Sequence, residues 1–405
     1  MNKKLLTVTV ALSAVALGCV FTSCSKKETE SKSSSSTVTL KVWESLSGPD
    51  AFIKAAGEAY TRQHPNVKVE FINVELGDAT GQVALDGPAG VGPDLFAAPH
   101  DKLGELVSGG HVLETKDAAG VKNAVLGACS QALTYDGKMY GYPVSAETYA
   151  LFYNKSLISE SELPKTWDDL RAWTIDFNSK NPGKRGFVMD VGNAYYTIVF
   201  TTANGNRLFG ASGTDTSSTN LNNADAVNGM TFFQNLRPAL DVPAADLSTG
   251  NVDAEFQSGN AAMHITGLWN IKPFEDAGID FGVAPLPALP GDTTPSSSFS
   301  GTRAMFVSAY SNYPEEASDF ARFLLTPEMQ QLRFSFTGAM PSIDTSVDSK
   351  YMPGFLTQLD YAFPMPSIPA MSAFWDAMNN ASKNIWDGAS VKAELDACNS
   401  AILGK

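Results

Sequence analysis

Two carboxylates, Asp101 and Glu147, each follow a strand-like segment and are the side chains best placed to do chemistry. Two carboxylates that face each other across a cleft can act as the acid and the nucleophile of a glycosidase. The same pair can instead accept hydrogen bonds from the hydroxyl groups of a bound ligand. The residues alone leave both interpretations open.

Signatures of the common enzyme classes do not occur in the sequence. No G-x-S-x-G motif supports a nucleophile elbow, and neither Gly137-Lys138 nor Gly183-Lys184 has the preceding glycine of a phosphate-binding loop. Pro93 directly after Gly92 disfavours a dinucleotide-binding turn. The histidines lack the spacing of metal ligands; they are His64, His100, His111 and His264. We therefore predict no metal and no cofactor.

Strand and helix patterns alternate around these carboxylates. Residues 37–43 alternate apolar and polar side chains as a strand does, and Ser47 is placed to cap a helix that begins at Pro49. Further elements follow, with strands predicted at 67–74, 92–97, 139–143 and 149–153, and helices at 101–107 and 123–133. Such alternation predicts parallel sheets that are covered by helices.

The second half of the chain repeats this alternation and then becomes helical. Thr166 and Asp169 form a capping box for a helix that runs to about residue 177. The final residues have helical patterns at 314–325, 327–336, 352–361, 372–386 and 391–403. The predicted fold class is therefore α/β.

The N-terminal 36 residues are typical of an exported lipoprotein. Lys3 and Lys4 precede an uncharged apolar run at residues 5–21, which predicts a secretory signal. Cys24 lies between this run and a polar, Ser-rich tether at residues 25–36, and resembles the acylated cysteine of a bacterial lipoprotein. Cys19 is the rival position, and an ordinary cleaved signal with an incidental cysteine is the alternative. We expect residues 1–24 to be the signal with its lipoprotein cysteine.

Composition narrows the class of partner. The chain has 29 basic and 43 acidic residues, and leaving out the five lysines and two glutamates of residues 1–36 gives the remainder a net charge of −17. That charge repels phosphate backbones and disfavours nucleic acid. Aromatic residues make up 10% of the chain, enough for some to line a cleft as well as a core. Beyond residue 36 the cysteines are Cys129 and Cys398, which either form a disulfide or stay as buried thiols.

Several segments resemble the maltose/maltodextrin-binding proteins, which are the sugar-binding subunits of bacterial ATP-driven importers. The matching blocks are 92–96 (GPDLF), 100–104 (HDKLG), 142–147 (YPVSAE), 153–155 (YNK), 165–167 (KTW), 259–263 (GNAAM), 266–269 (TGLW) and 365–375 (MPSIPAMSAFW). The last block is nearly the family's MPNIPQMSAFW. The blocks follow the family order and cover essentially the whole chain after the tether.

The resemblance implies a type II periplasmic-binding-protein fold with two α/β lobes and a ligand cleft between them. By this resemblance, residues 37–145 and 300–344 would form the first lobe, and residues 146–299 and 345–405 the second. The protein would be a monomer, exported and held by its lipid anchor on a bacterial membrane, facing the periplasm or the cell exterior. It would capture an oligosaccharide and deliver it to an ABC permease without altering it.

The resemblance also implies which side chains contact the sugar. Asp101 and Glu147 would accept hydrogen bonds from sugar hydroxyls, and Lys102 would donate them. The remaining contacts would be three stacking rings with an apolar neighbour; they are Tyr195, Trp269, Trp375 and Met365.

Four departures from the family pattern bear on the identity of the sugar. Ser47 and Gly48 stand where the family has an aspartate–lysine pair, and Ala98 stands where it has a stacking tryptophan. Lys102 replaces an arginine, whose planar fork it lacks, and Asn193 replaces a glutamate. A maltose-like α-glucoside is the expected ligand. The alternative ligands are another disaccharide or a non-sugar solute. The alternative function is that of a secreted glycoside hydrolase that uses Asp101 and Glu147.

Overall fold

The computed structural model describes residues 37–405. The predicted signal, the tether, Cys19 and Cys24 lie outside the described residues. Within 37–405, no helix combines the length and the apolar character that crossing a membrane requires.

The described part of the chain contains eleven strands and sixteen α-helices. The strands are β1 (Val38–Glu44), β2 (Val67–Asn73), β3 (Leu95–Pro99), β4 (Thr134–Tyr135), β5 (Lys138–Met139), β6 (Tyr142–Asn154), β7 (Arg185–Val188), β8 (Ala261–Gly267), β9 (Phe281–Ala284), β10 (Phe299–Val307) and β11 (Phe363–Pro364). The helices are α1 (Pro49–Gln63), α2 (Ala79–Asp86), α3 (Leu103–Ser108), α4 (Ala118–Ala124), α5 (Gly127–Ala132), α6 (Trp167–Lys180), α7 (Ala194–Thr197), α8 (Ala224–Gln234), α9 (Arg237–Leu240), α10 (Thr249–Gln257), α11 (Ile271–Asp276), α12 (Pro314–Phe323), α13 (Pro327–Thr337), α14 (Met352–Leu359), α15 (Met371–Trp386) and α16 (Val391–Leu403).

The main sheet is mixed. Its order is β2-β1-β3-β10-β6-β8-β7, with β11 beside β10 and β9 beside β6. The pairs β1–β2, β1–β3 and β7–β8 are parallel, whereas β10 is antiparallel to both β3 and β6, and β6 is antiparallel to β8 and β9. The prediction of parallel sheets is therefore correct at the two ends and wrong in the centre, because β10 returns late in the chain and inserts between β3 and β6.

The strand β6 connects the two halves of the sheet. Its first half pairs with β10, from Tyr142 to Thr148, and its second half pairs with β8 and β9, from Tyr149 to Asn154. Every residue of β6 is buried except Glu147, which is half-buried. The predicted separate strands at 139–143 and 149–153 are thus wrong, because one 13-residue strand contains residues 142–143 of the first and all of the second, and Met139 belongs to β5.

Buried residues form two clusters, which we call core A and core B. Core A takes its residues from 38–144 and 304–343. Core B takes its residues from 146–299 and 340–402, together with Cys129. A sheet whose two ends are each covered by helices on their own apolar core is the arrangement of a two-lobed α/β protein.

Local predictions had mixed outcomes at helix ends. Thr166 caps α6, since its Oγ1 accepts a hydrogen bond from the backbone N–H of Asp169 at 3.1 Å. Ser47 does not cap α1; Gly48 occupies that position with a φ of 122°, and its N–H donates to Asp50 Oδ1 instead. The predicted helix at 123–133 is two short helices, because Val125 adopts an extended conformation between them.

Both cysteines in the described part are free and buried. Burial raises the pKa of Cys129 to about 11 and that of Cys398 to about 12, so both thiols stay protonated at neutral pH. Of the two open alternatives, the buried thiols are the ones that the structure contains.

Candidate functional site

A cavity of about 810 Å³ lies where residues that pack on core A face residues that pack on core B. This volume is within the range of ligand-binding sites. All seven residues predicted to contact a ligand line this cavity; they are Asp101, Lys102, Glu147, Tyr195, Trp269, Met365 and Trp375. Their roles in binding stay a prediction, but the structure brings them together from positions across most of the chain.

Asp101 is the buried carboxylate of the cavity. It lies in a single 3-10 turn that follows β3, and only 4% of its surface is exposed. Its Oδ2 accepts a hydrogen bond from the indole N–H of Trp375 at 3.1 Å. Burial raises the pKa of Asp101, an effect that the positive charge of Lys102 and the Trp375 hydrogen bond only partly oppose. Asp101 therefore offers an acceptor oxygen in a poorly solvated position, where hydrogen bonds are stronger than in water.

Glu147 is the second carboxylate and comes from β6. Ser145 donates its hydroxyl to Glu147 Oε1 at 3.1 Å, which orients the carboxylate. Across the β6–β10 pairing Glu147 faces Gly301. A Cβ added at Gly301 would lie 3.5 Å from side-chain atoms of both Glu147 and Met365, which is an ordinary contact distance. The half-buried position leaves acceptor capacity for a ligand.

Three aromatic rings make one side of the cavity. Tyr195 is the second residue of α7, which Asn193 caps by accepting a hydrogen bond from the Tyr195 N–H at 3.0 Å. Trp269 lies in the turn after β8, is 39% exposed, and has its ring centroid 6.0 Å from that of Tyr195. Trp375 projects from α15 and packs edge-on against Phe299. Such rings present the flat apolar surfaces that stack on the C–H faces of sugars.

The close approach of Trp269 to its own strand depends on Gly267. A Cβ at Gly267 would overlap the six-membered ring of Trp269. The absence of a side chain at Gly267 thus allows the Trp269 ring to lie against its own strand at the cavity wall.

Lys102 and Met365 complete the predicted set. The Lys102 ammonium is 3.8 Å from Glu105 Oε2 and remains partly exposed. Met365 is buried, and its carbonyl oxygen lies 2.9 Å from Nε2 of His100.

His100 ties three segments of the site together. Its Nδ1 accepts a hydrogen bond from the backbone N–H of Thr302 at 3.0 Å, so its Nε2 must carry the proton and donate to the Met365 carbonyl. Burial lowers the pKa of His100, which keeps the ring neutral at pH 7. The turn that carries Asp101, the strand β10 and the Met365 segment are therefore held by one neutral imidazole.

Sequence reasoning missed a buried ionic cluster at the same cavity. Glu44, at the end of β1, has no exposed surface and accepts hydrogen bonds from Nε and Nη2 of Arg303 on β10. Nη1 of Arg333, on α13, is 3.7 Å from the same carboxylate. The available signal was local: a glutamate that ends an apolar strand, and an arginine on the side of a helix that packs inward.

Apolar residues from the core A side were also missed. Leu46, Leu76 and Phe336 line the cavity, and Leu46 and Phe336 are exposed there. They add apolar surface to the wall of the cavity. Among residues 37–405, no three His, Cys, Asp or Glu side chains gather as a metal site.

The fold and the cavity define a two-lobed α/β protein with a ligand-sized cleft. The sequence matches the bacterial extracellular solute-binding protein family over residues 43–331, and the chain belongs to that family. It is 31% identical to the galactooligosaccharide-binding protein of Bacillus subtilis, over 96% of this chain and 94% of that protein. It is 28% identical to the maltooligosaccharide ABC transporter solute-binding lipoprotein of Streptococcus pneumoniae R6, over 94% and 92% of the two chains.

Solved structures show the same fold. A cyclo/maltodextrin-binding protein complexed with maltotetraose has a TM-score of 0.79 and 33% identity, covering 90% of this chain and 96% of that one. The maltotriose-binding protein of Thermus thermophilus, bound with maltotriose, has a TM-score of 0.80 and 26% identity, covering 90% and 99%. The predicted family and fold class are confirmed.

Proposed function

We propose that this protein binds an oligosaccharide of the maltodextrin type outside the cytoplasm and delivers it to an ABC importer. The observation that carries the proposal is the single cavity in which Asp101 and Glu147 lie with the rings of Tyr195, Trp269 and Trp375. Carboxylates that accept from hydroxyl groups, beside rings that stack on pyranose faces, are the two kinds of contact a sugar needs. The names of the relatives and of the matching structures support the same class of ligand.

Capture works by closure of the two lobes on the ligand. We assign residues 37–145 and 300–344 to the first lobe and residues 146–299 and 345–405 to the second, a division that the membership of cores A and B supports. A ligand that contacts both lobes favours the closed state by its additional contacts there. The closed, loaded form is then the one that a permease accepts.

The positive groups of the cavity argue against a cationic solute such as a polyamine. Lys102, Lys272, Arg303 and Arg333 all line it, against the carboxylates Asp101, Glu147 and Asp276. An ammonium ligand would meet like charges there. A galactooligosaccharide is a second candidate, since the Bacillus subtilis relative carries that name.

We further propose that the protein acts as a monomer without hydrolysing its ligand, and that Cys24 carries the lipid that holds it on the membrane. Membership of a solute-binding family supports binding rather than catalysis. The relative from Streptococcus pneumoniae is itself called a lipoprotein.

The test is a thermal-shift and calorimetric screen of the purified protein from residue 37 onward. We expect maltose, maltotriose or a longer α-linked glucose oligomer to raise the unfolding temperature, because a ligand that binds only the folded state stabilises it. Chromatography after prolonged incubation should return the sugar unchanged. A response to amino acids or polyamines and to no sugar would contradict the proposed ligand class, and released glucose would favour a hydrolase.

A further inference from the structure

Arg303 and Arg333, which we call the arginine pair, are buried side by side at the cavity wall. Their side chains are only 11% and 2% exposed, and both line the cavity. Arg333 also lies over the ring of Phe52, with its guanidinium carbon 5.4 Å from the ring centroid. A guanidinium is rarely buried this deeply without a full set of acceptors.

The pair has too few acceptors for its donors. Within the described residues, the one ion-pair partner of both side chains is Glu44. Arg303 commits Nε and Nη2 to Glu44, and Nη2 also to the Ser45 hydroxyl. Arg333 has buried Nε and Nη1 atoms without a hydrogen-bond partner among residues 37–405. Nη1 of Arg303 and Nη2 of Arg333 donate to no described residue, and neither is among the fully buried unpaired atoms.

Burial acts on the charge of this cluster. It lowers the pKa of Arg333 to about 10, helped by the positive charge of Arg303 and opposed by the carboxylates of Glu44 and Glu147. Arg333 is therefore a cation at neutral pH whose donors are incompletely used.

We propose that the arginine pair is a further ligand-binding subsite, in which Arg303 Nη1 and Arg333 Nη2 donate hydrogen bonds to two oxygen atoms of one sugar unit. This inference rests on the proposed function and adds to it the contact that selects the sugar unit lying against β1 and β10. A guanidinium has donors and no acceptor, so the ligand must present oxygen lone pairs at this position. Hydroxyl groups satisfy this, and an amino group in its charged form does not.

The experiment combines one substitution in the protein with the removal of single hydroxyl groups from the ligand, as in a double-mutant cycle, and measures each affinity by calorimetry. Maltotriose and its monodeoxy analogues, each lacking one hydroxyl group, are titrated into the wild type and into Arg333→Met. The matched control is Arg322→Met, which removes an exposed arginine on α12 that does not line the cavity. Unfolding curves establish that each variant is folded.

We expect Arg333→Met to bind maltotriose about tenfold more weakly or worse, the usual loss for a hydrogen bond from a charged donor. At least one deoxy analogue should bind the wild type about tenfold more weakly than maltotriose does. The same analogue should bind Arg333→Met at least as tightly as maltotriose binds that variant, because the contact is already missing. Arg322→Met should show the wild-type pattern.

Two results would overturn the inference while leaving the proposed function intact. One is a folded Arg333→Met that binds maltotriose as the wild type does. The other is that each deoxy analogue loses the same factor of affinity, relative to maltotriose, in the wild type and in Arg333→Met. If Arg333→Met does not fold, Arg333→Lys serves in the same cycle, since it keeps a positive charge beside Glu44 but lacks the second terminal nitrogen. A wild type that binds no sugar would refute both the proposed function and this subsite.

Discussion

Trp375 donates its indole N–H to Oδ2 of Asp101 at 3.1 Å, and this bond joins α15 to the turn after β3. The two residues are 274 positions apart in the sequence. One ring thus provides a stacking surface and orients a buried carboxylate. The two roles can be separated by mutation.

Replacing Trp375 by Phe keeps an aromatic surface but removes the hydrogen bond to Asp101. We expect sugar affinity to fall about tenfold, because the Asp101 carboxylate is no longer held in the orientation in which it accepts from the ligand. Trp375→Ala should abolish measurable binding because the stacking surface is lost as well. Calorimetry with maltotriose checks both, and equal losses in the two variants would contradict the division of roles.

The same bond predicts how affinity depends on pH. The Trp375 N–H favours the ionised carboxylate, so its removal should raise the pKa of Asp101 further. Binding through the carboxylate is lost as pH falls through that pKa. In Trp375→Phe the loss should therefore begin at a higher pH than in the wild type. A midpoint that does not move would show that Asp101 is not the titrating acceptor.

Gly267→Ala tests the position of Trp269. The added methyl group overlaps the Trp269 ring, which must rotate away from its place in the cavity. Because this ring is exposed, the protein should stay folded while sugar affinity falls several-fold. Gly81→Ala, in the exposed part of α2 with open space around it, is the control and should bind as the wild type. A Gly267→Ala protein with unchanged affinity would exclude Trp269 from the contact.

Much of the fold could be predicted from short-range patterns, and most of the predicted site from the motif blocks. The alternation in β1 and the cap at Thr166 are local signals that survived folding. The long strand β6 was split in the prediction because Pro143 and Glu147 interrupt its apolar run. Its continuity depends on partners from β10 and β8, which no window along the sequence contains.

The ionic cluster was beyond sequence reasoning for the same reason. Glu44 and Arg303 are 259 positions apart, and each by itself is an ordinary charged residue. Only the packing of β10 and α13 against β1 shows that one carboxylate serves two guanidinium groups. Similarly, Ser47 and Gly48 have positive φ angles, and the carbonyl oxygen of Phe336 on α13 approaches so closely that it would overlap a Cβ on Gly48, a contact that no local pattern contains.

His100 predicts an acid-sensitive stability. Its pKa is lower in the folded protein than the ordinary value near 6.5, so the unfolded chain binds the additional proton first. The free energy of unfolding should therefore decrease as pH falls below about 6.5, until the folded-state pKa is passed. Protonation would also break the bond from Thr302 N–H to Nδ1. Urea titrations from pH 7 to pH 5 should show this slope, reduced in His100→Gln and retained in His64→Gln, where the ring is exposed.

Asp101→Asn should uncouple stability from binding. Because burial raises the pKa of Asp101, its ionised form costs folding free energy at neutral pH, and the amide removes that charge while its oxygen can still accept from Trp375. We expect an unfolding temperature equal to or above that of the wild type, with sugar affinity reduced about tenfold or more for the lost charged acceptor. If Asp101→Asn unfolds at a lower temperature than the wild type but binds the sugar with unchanged affinity, Asp101 has a structural role and not a binding one.

Glu44→Gln tests whether the buried carboxylate holds the arginine pair. The amide has a similar shape, but it leaves two guanidinium groups without a counter-charge in a buried position. Removing one partner of a buried ionic cluster typically costs about 3–5 kcal/mol, and urea unfolding measures it directly. Glu114→Gln removes an exposed partner of Lys138 and should cost less than about 1 kcal/mol. Equal effects of the two substitutions would mean that water already screens the arginine pair, and its open nitrogens would then have no advantage over solvent in binding a sugar.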